Sequence, residues 1–290
     1  MVKKEVKRVV KKFFRNPTAL MGLILLIFFI IVAILAPVIS PPQDPDNPYR
    51  IPIATWSLEP KPPSPQHPFG VIGQRDIFYG VIWGTRTAFR IGLIVAGVST
   101  LIGITIGSIA GYFGGWVDEI LMRITDIFMS IPFLVAAMVL TTILGKGLDK
   151  VMIAMITFGW MATARLIRGN ILQVKEEQFI LAAKALGVKH FAIIVKHILP
   201  NTIFPVIVQI SMRMGSLVIT AAALSFLGLG AEMGYADWGT LLSYSRNWLT
   251  DFEKSWFAIV FPGTAMVLFV LAWNLVGDAL RDIFDPRLRG

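Results

Sequence analysis

Arg213 is the residue of this sequence that most needs a chemical explanation, because it stands inside an apolar run, IVQISMRMGSLVITAA. Gln209 lies one helical turn before it. A charge in lipid is costly, so a guanidinium here must face water, a carboxylate or the edge of the apolar layer. Two interpretations stay open. Gln209 and Arg213 line a path for a solute, or Arg213 extends its long side chain to the aqueous interface.

Other catalytic and binding chemistries have little support in the sequence. The chain has no cysteine, which excludes disulfides, thiol catalysis and Cys-based zinc sites. Its three histidines, His67, His190 and His197, do not show the H-E-x-x-H spacing of a zinc enzyme. A membrane-embedded enzyme would need polar catalytic groups at one depth, and the polar residues near the apolar runs do not form such a set.

The sequence also lacks a nucleotide site. A P-loop requires G-x-x-x-x-G-K-[ST], and the nearest candidate, Gly145-Lys146-Gly147, has no hydroxyl residue after it. The apolar runs contain no pair of acidic residues of the kind a proton-driven carrier uses. We therefore predict no cofactor in this chain. If the protein pumps a solute, another polypeptide supplies the energy.

Membrane-spanning helices must position these polar residues. Hydrophobic residues make up 55% of the 290 residues, charged residues only 16%, and the mean hydropathy is +0.69. Because soluble domains have about a quarter charged residues, this composition predicts an all-α, polytopic membrane protein. The six predicted spans cover approximately residues 18–39, 90–113, 127–145, 148–164, 204–229 and 257–276.

The distribution of charge predicts the orientation of these spans. Seven basic residues lie in segment 1–17 before the first span, which we expect to be uncleaved with its N-terminus in the cytoplasm. Six spans then place the tail, 279–290, in the cytoplasm as well. Segments assigned inside hold 17 Lys and Arg residues and segments assigned outside hold 8, in agreement with the positive-inside rule. The net charge of +9 therefore suits the anionic cytoplasmic leaflet and does not require nucleic acid.

The largest predicted external loop covers residues 40–87, and its first part, 40–68, is crowded with proline. Proline disfavours helix, so we expect this part to be extended or irregular. It is either a spacer or an external contact surface. The five later spans, within 88–278, form one predicted unit to which the first span is added.

Two sequence features concern the packing of the spans. Gly103, Gly107 and Gly111 recur every four residues in the second span, and such a stripe lets helix backbones approach closely. The stripe packs either inside the bundle or against a second membrane subunit. Pro132 and Pro262 lie in the third and sixth spans, where proline is expected to bend a helix.

The predicted cytoplasmic loop 170–203 separates the fourth and fifth spans. Helical spacing puts Phe179, Ala183 and Leu186 on one face, with Ala182 alongside. Large apolar side chains among alanines suit the groove of a partner protein. The alternative is an interfacial helix that rests on the bilayer.

A glycine and a proline divide this loop. Gly187 is a predicted helix stop, and a second short helix, about 189–198, is expected to end near Pro200. A stiff helix–stop–helix unit of this kind can transmit force from a partner.

The same loop contains the pattern A-A-x-x-x-G followed by L-P, at Ala182, Ala183, Gly187, Leu199 and Pro200. This pattern resembles the EAA loop of ABC-importer permeases, which forms the coupling helices that contact the ATPase subunits. Leu181 and His197 replace a glutamate and an isoleucine of the general pattern, as is common in the peptide-importer branch.

Further motifs narrow the resemblance to the C-type permease of the dipeptide, oligopeptide and nickel group. They are HPFG at 67–70, RDIFYGVIWGTRTAFRIGL at 75–93, LSFLGLG at 224–230, DWGTLL at 237–242 and NLVGDALRDIFDPRLR at 274–289. Two positions depart from the branch. Gln74 stands where a glycine usually precedes Arg-Asp, and Ala221 stands where a glutamate often occurs.

The resemblance implies a type I ABC-importer permease with six transmembrane helices in the cell membrane. It implies a homologous second permease, two ATP-binding subunits that hold ATP and magnesium, and an external substrate-binding protein. The residues expected at the ATPase contact are Phe179, Ala182, Ala183, Leu186, Gly187, His197 and Pro200. The implied cargo is a di- or oligopeptide, with oligosaccharides or nickel complexes as the alternative cargo. A membrane enzyme or a channel is a distant alternative for the function of the chain.

Overall fold

The computed structural model describes residues 16–284, and the ends of the predicted tails, 1–15 and 285–290, lie outside that range. Apart from one hairpin, the ordered elements of this range are helices. The hairpin strands are β1 (Val71–Ile72) and β2 (Arg75–Asp76), paired antiparallel. The long helices are α1 (Pro17–Ile39), α2 (Ile77–Phe113), α3 (Gly115–Met129), α4 (Phe133–Leu144), α5 (Leu148–Gly159), α6 (Met161–Val174), α10 (Phe204–Phe226) and α12 (Phe252–Phe284).

Shorter helices occupy two connections. Between α6 and α10 lie α7 (Gln178–Ala185), α8 (His190–Ile193), a π-helical turn (Ile194–Ile198) and α9 (Leu199–Thr202). Between α10 and α12 lie α11 (Trp238–Tyr244) and a 3₁₀ segment (Ser245–Asp251).

Helix α2 forms the centre of the bundle, in contact with α6, α10 and α5, while α1 packs against α12 at the side. The glycine stripe explains the closeness of α2 and α6. A Cβ added at Gly103 would lie 2.6 Å from the carbonyl oxygen of Trp160, and one added at Gly107 would lie 2.4 Å from that of Ala164. At Gly111 the nearest such oxygen, that of Arg168, is at 3.1 Å. The stripe therefore packs within this chain's own bundle.

The predicted span 127–145 is bent, as Pro132 indicated, and its first helix begins earlier, at Gly115. Helices α3 and α4 meet at an angle of 83°. Pro132 supplies no backbone N–H, and α4 begins immediately after it. The expected bend is therefore at Pro132. By contrast, α12 continues through Pro262 as one helix.

The predicted span 148–164 is too short, because α5 and α6 together cover Leu148–Val174. Two arginines extend the helix beyond the apolar run. Arg168 donates to both carboxylate oxygens of Asp118, at 2.5 and 2.6 Å, and Arg165 pairs with Asp126. These pairs along α3 allow charged residues to continue a helix that hydropathy alone would end.

Helix α2 starts at Ile77, earlier than the predicted span at 90, and so takes in the end of the predicted loop 40–87. The Asp76 side chain accepts a hydrogen bond from the backbone N–H of Tyr79 (2.9 Å) and caps the helix. Arg90 donates to Asp149 of α5 at 2.8 Å. Capping and pairing thus extend the helix through a charged stretch.

Residues 40–76, together with 234–244, form a layer over one end of the bundle, which we call the outer cap because the sequence predicts that this end is external. The proline-rich part contains no helix, as expected, yet it is fixed in place. The indole N–H of Trp83 donates to the Ser40 carbonyl (2.9 Å) and the Tyr79 hydroxyl to the Pro48 carbonyl (2.6 Å). Tyr49 stacks on Tyr235, with ring centroids 5.5 Å apart. The outer cap is therefore not a loose spacer.

Five helices, or six if the bent α3–α4 pair is one span, are long and apolar enough to cross a membrane within residues 16–284. The count of six agrees with the six predicted spans. The prediction of an all-α membrane fold is confirmed.

Candidate functional site

Residues 178–202 belong to the predicted coupling loop and are called the coupling segment, which begins with helix α7. Gly187 has φ +73°, a left-handed conformation that glycine adopts without a Cβ penalty. Its backbone N–H bonds the Lys184 carbonyl (3.0 Å), and the Val188 N–H bonds the Ala183 carbonyl (3.1 Å). These two bonds form a Schellman motif that ends the helix. Gly187 is therefore a terminator, as its sequence position indicated.

The two faces of α7 have different surroundings. Ile180 is 0% exposed and Ala183 is buried beside it, in a cluster with Ile167 and Ile171 of α6. Leu186, at the other side, is 83% exposed. One face of the coupling segment is thus attached to the bundle, and the other is open.

The prediction that Ala183 shares an exposed face with Phe179 and Leu186 is wrong. The exposed face comprises Phe179, Ala182 and Leu186. The helix is rotated relative to the prediction because Ile180, a large apolar residue, is buried, and Ala183 lies on the same side as Ile180.

The second helix of the coupling segment, predicted over about 189–198 with its end near Pro200, ends two residues after that proline, at Thr202. Helices α8 and α9 and the π turn between them form a helical run, His190–Thr202, that includes Pro200 in the first turn of α9. The wider π turn precedes the proline, and the Leu199 N–H bonds the Ile194 carbonyl, five residues back. His197 is half-buried, and its carbonyl accepts from the Asn201 amide at 2.6 Å.

Sequence reasoning missed a contact that fixes this segment to α2. The Tyr112 hydroxyl and Nδ1 of His190 lie 2.7 Å apart. The Lys184 ammonium lies 5.6 Å from the centroid of the Tyr112 ring, within cation–π distance. The residues of the hydrogen bond are 78 positions apart in the chain, and no periodic signal could have paired them.

Gln209 and Arg213 belong to one hydrogen-bond network on α10. Arg213 donates through Nη2 to the Gly159 carbonyl (2.7 Å) and through Nη1 to the Thr163 hydroxyl (3.3 Å). That hydroxyl donates to the Gln209 side-chain oxygen at 3.0 Å. Arg213 thus contacts the last residue of α5, where a cation suits the negative end of a helix. No group of three metal-ligating side chains occurs within residues 16–284.

Comparison with known families agrees with this architecture. Residues 103–290 match the family described as binding-protein-dependent transport system inner membrane component. Residues 6–60 match the N-terminal transmembrane domain of oligopeptide transport permease C.

The chain belongs to this permease family.

Three relatives align with most of this permease. The dipeptide transport system permease protein DppC of Alkalihalophilus pseudofirmus is 37% identical, over 96% of this chain and 89% of the relative. The oligopeptide transport system permease protein OppC of Bacillus subtilis is 38% identical, over 96% and 88%. The glutathione transport system permease protein GsiD of Pectobacterium atrosepticum is 41% identical, over 78% and 75%.

The permease also has the fold of a solved transporter. An inward-facing structure of the MetNI methionine ABC transporter has a TM-score of 0.58 and 16% identity, covering 72% of this chain and 98% of that chain. The predicted family and the type I importer fold are confirmed. The protein is a multi-pass membrane permease subunit of an ABC importer.

Proposed function

We propose that this permease imports di- or oligopeptides. With a homologous second permease it encloses the pathway, and an external binding protein delivers the solute to the outer cap. Two ATPase subunits, which hold ATP and magnesium, contact the coupling segments on the cytoplasmic side. The chain itself performs no catalysis. The printed substrates of its relatives, dipeptides, oligopeptides and glutathione, support the choice of cargo.

The contrast between the two faces of the coupling segment is the observation that supports the ATPase contact. Leu186 and Phe191 are 83% and 77% exposed, although both are large apolar residues. They extend from a segment whose opposite face is buried against α6 and α2. An apolar side chain on a helix that is held from behind can insert into a groove and transmit force.

The experiment for the ATPase contact is co-purification. Leu186→Ser with Phe191→Ser should reduce recovery of the ATPase subunits about 10-fold or more, since each residue would act as an anchor. Trp56→Ser, an exposed residue of the outer cap, is the matched control and should leave recovery unchanged. If the double variant retains its ATPases, the exposed face instead contacts the bilayer surface.

The cargo is tested in proteoliposomes with the assembled transporter and its binding protein. Unlabelled di- and oligopeptides should compete with uptake of a labelled dipeptide. Competition only by oligosaccharides or nickel complexes would contradict the peptide assignment and leave the permease assignment intact.

A further inference from the structure

Helix α10 has a continuous polar face inside an apolar helix. Gln209, Arg213, Ser216 and Thr220 follow one another at spacings of four, three and four residues. At 3.6 residues per turn these positions fall within about 60° around the helix axis. The opposite side carries buried apolar residues of the bundle core, Met214, Leu217, Val218 and Ala221.

This polar face is only partly covered by the rest of the chain. Ser216 is exposed, and the other three residues are half-buried. The two hydroxyl groups donate to carbonyls of their own helix, Ser216 to Arg213 at 2.9 Å and Thr220 to Ser216 at 2.9 Å. The hydrogen bonds of these two hydroxyl groups are therefore compatible with a membrane helix. A stripe of four polar residues that includes a cation, however, does not suit a surface that faces lipid.

Arg213 has N–H donors that its hydrogen bonds do not use. Its guanidinium has five N–H groups, and the hydrogen bonds to Gly159 and Thr163 use two of them. Within residues 16–284, no carboxylate lies within ion-pair distance of it, whereas Arg90, Arg165 and Arg168 each have an acidic partner. A half-buried guanidinium held by two neutral acceptors is oriented to bind an anion, and its planar geometry suits a carboxylate.

We propose that the polar face of α10 lines the transport path and that Arg213 binds the carboxylate of the passing solute. This inference rests on the proposed function, since an unmodified peptide carries a carboxylate at its C-terminus. The network through Thr163 and Gly159 keeps the guanidinium in place when the solute has left. Gln209, one turn away, contributes an amide that can donate to the same group.

The absence of cysteine in the chain permits a direct test of the path. In the assembled transporter in proteoliposomes, Ser216→Cys and Thr220→Cys would each introduce one thiol into this chain. We expect both to react with water-soluble methanethiosulfonates, and a transported dipeptide should slow the reaction. Ile219→Cys, exposed but off the polar face, is the control and should react at least about 10-fold more slowly, because thiols in lipid do not ionise. Equal rates at all three positions, or no reaction at Ser216 and Thr220, would overturn the path assignment and place this face against lipid or the second permease.

The carboxylate assignment needs a second comparison, of reagent charge. At Ser216→Cys, the negatively charged sulfonatoethyl reagent should react faster than the positively charged trimethylammonioethyl reagent. Adding Arg213→Gln should lower that rate ratio about 10-fold, while Arg213→Lys preserves it. Dipeptide uptake should fall about 10-fold or more in Arg213→Gln, with normal co-purification of the partner subunits.

The outcomes separate the two proposals. An unchanged rate ratio in Arg213→Gln would overturn the role of Arg213 as an anion site even if peptides are imported. If the wild-type transporter imports only an uncharged oligosaccharide, the peptide assignment fails, and the carboxylate assignment fails with it. Reactivity along α10 in that case would still identify the path.

Discussion

The outer cap and the coupling segment both interrupt the apolar helices with glycine, proline and charged residues, yet they are built in opposite ways. The cap is held on several sides by buried aromatic rings and by backbone hydrogen bonds, among them Ile51 N–H to the Gly234 carbonyl (2.7 Å). The coupling segment is held on one side only and exposes Leu186 and Phe191 on the other.

This difference shows that irregular sequence does not by itself mean a mobile linker or a binding surface. What distinguishes the two regions is the size of the apolar side chains that the chain itself buries, which include aromatic rings at the cap and only aliphatic side chains in the coupling segment. Ile51 and Trp238 of the cap are buried in the chain's own core together with Trp83 of α2, whereas Trp56 of the cap is exposed. In the coupling segment, Ile180, Ala183, Ile193 and Ile198 are buried against the bundle, and Leu186 and Phe191 remain exposed on the other side.

The largest effect on stability is expected from Trp83→Ala, at the residue of α2 that holds the outer cap. Trp83 is 1% exposed, and its indole N–H bonds Ser40 while its ring packs against Tyr49 and Tyr79. Removing it should lower the free energy of unfolding by about 3–5 kcal/mol. Thermal unfolding in detergent measures this change. Trp56→Ala in the same cap, at an 83% exposed residue, should change it by less than about 0.5 kcal/mol. Similar losses for both would mean that the cap is not anchored as described.

Gly187→Val tests the stiffness of the coupling segment. No heavy atom lies within 4 Å of a Cβ built at Gly187, so the cost comes from the left-handed backbone and should be about 2 kcal/mol. We expect ATP hydrolysis to continue while uptake is lost, with insertion into the membrane unchanged. Gly169→Ala, in the ordinary helical backbone of α6 with equally open surroundings, is the control. Normal coupled uptake by Gly187→Val would contradict a force-transmitting role for this segment.

Gln74→Gly should stabilise the outer cap by about 0.5–1 kcal/mol. Gln74 is the one non-glycine residue with positive φ within residues 16–284, at +68° in the turn between β1 and β2. Glycine relieves this strain, and its greater freedom in the unfolded chain offsets part of the gain. The same unfolding measurement applies. As a control, Gly73→Ala at the neighbouring position should destabilise the cap, since its Cβ would lie 2.9 Å from the Tyr244 ring. A loss of stability in Gln74→Gly would show that the hydrogen bond from the Gln74 side chain to the Trp56 carbonyl (3.0 Å) matters more than the backbone strain.

Leu186→Ser should have the smallest effect on stability, less than about 0.5 kcal/mol, because its side chain contacts mainly solvent. Uptake should nevertheless decrease, since the proposed anchor is lost. Ile180→Ala, on the buried face of the same helix, should cost about 2–4 kcal/mol. A destabilising Leu186→Ser would mean that the exposed face is a structural part of the permease, and the contrast with the cap would no longer hold.

The sequence predicted those parts of the fold that depend on local pattern. The first span follows from an uncharged run, and the end of α7 follows from Gly187. The start of α2 at Ile77 was missed because Arg86 and Arg90 interrupt the apolar signal, although Arg90 is paired with Asp149 in the fold. The sequence predicted a bend at Pro132 but not its angle of 83°, because the packing of neighbouring helices determines that angle.

Contacts between distant residues lay beyond the reach of the sequence. Tyr112 and His190 have no shared periodicity, and the rotation of α7 depends on whether Ile180 or Phe179 is buried. The network of Gln209 and Arg213 was suggested by their spacing, but its connection to Gly159 and Thr163 required the packing of α10 on α5 and α6.

Helix α2 connects the two compared regions without a break. Its first turn is capped by Asp76 in the outer cap, and Tyr112 in its last turn bonds His190 of the coupling segment. Its 37 residues give a length of about 55 Å. A tilt of this helix by one degree about its capped end would displace the end at Tyr112 by about 1 Å. A small change in the angle of α2 at the cap therefore corresponds to a displacement of atomic size at the coupling segment.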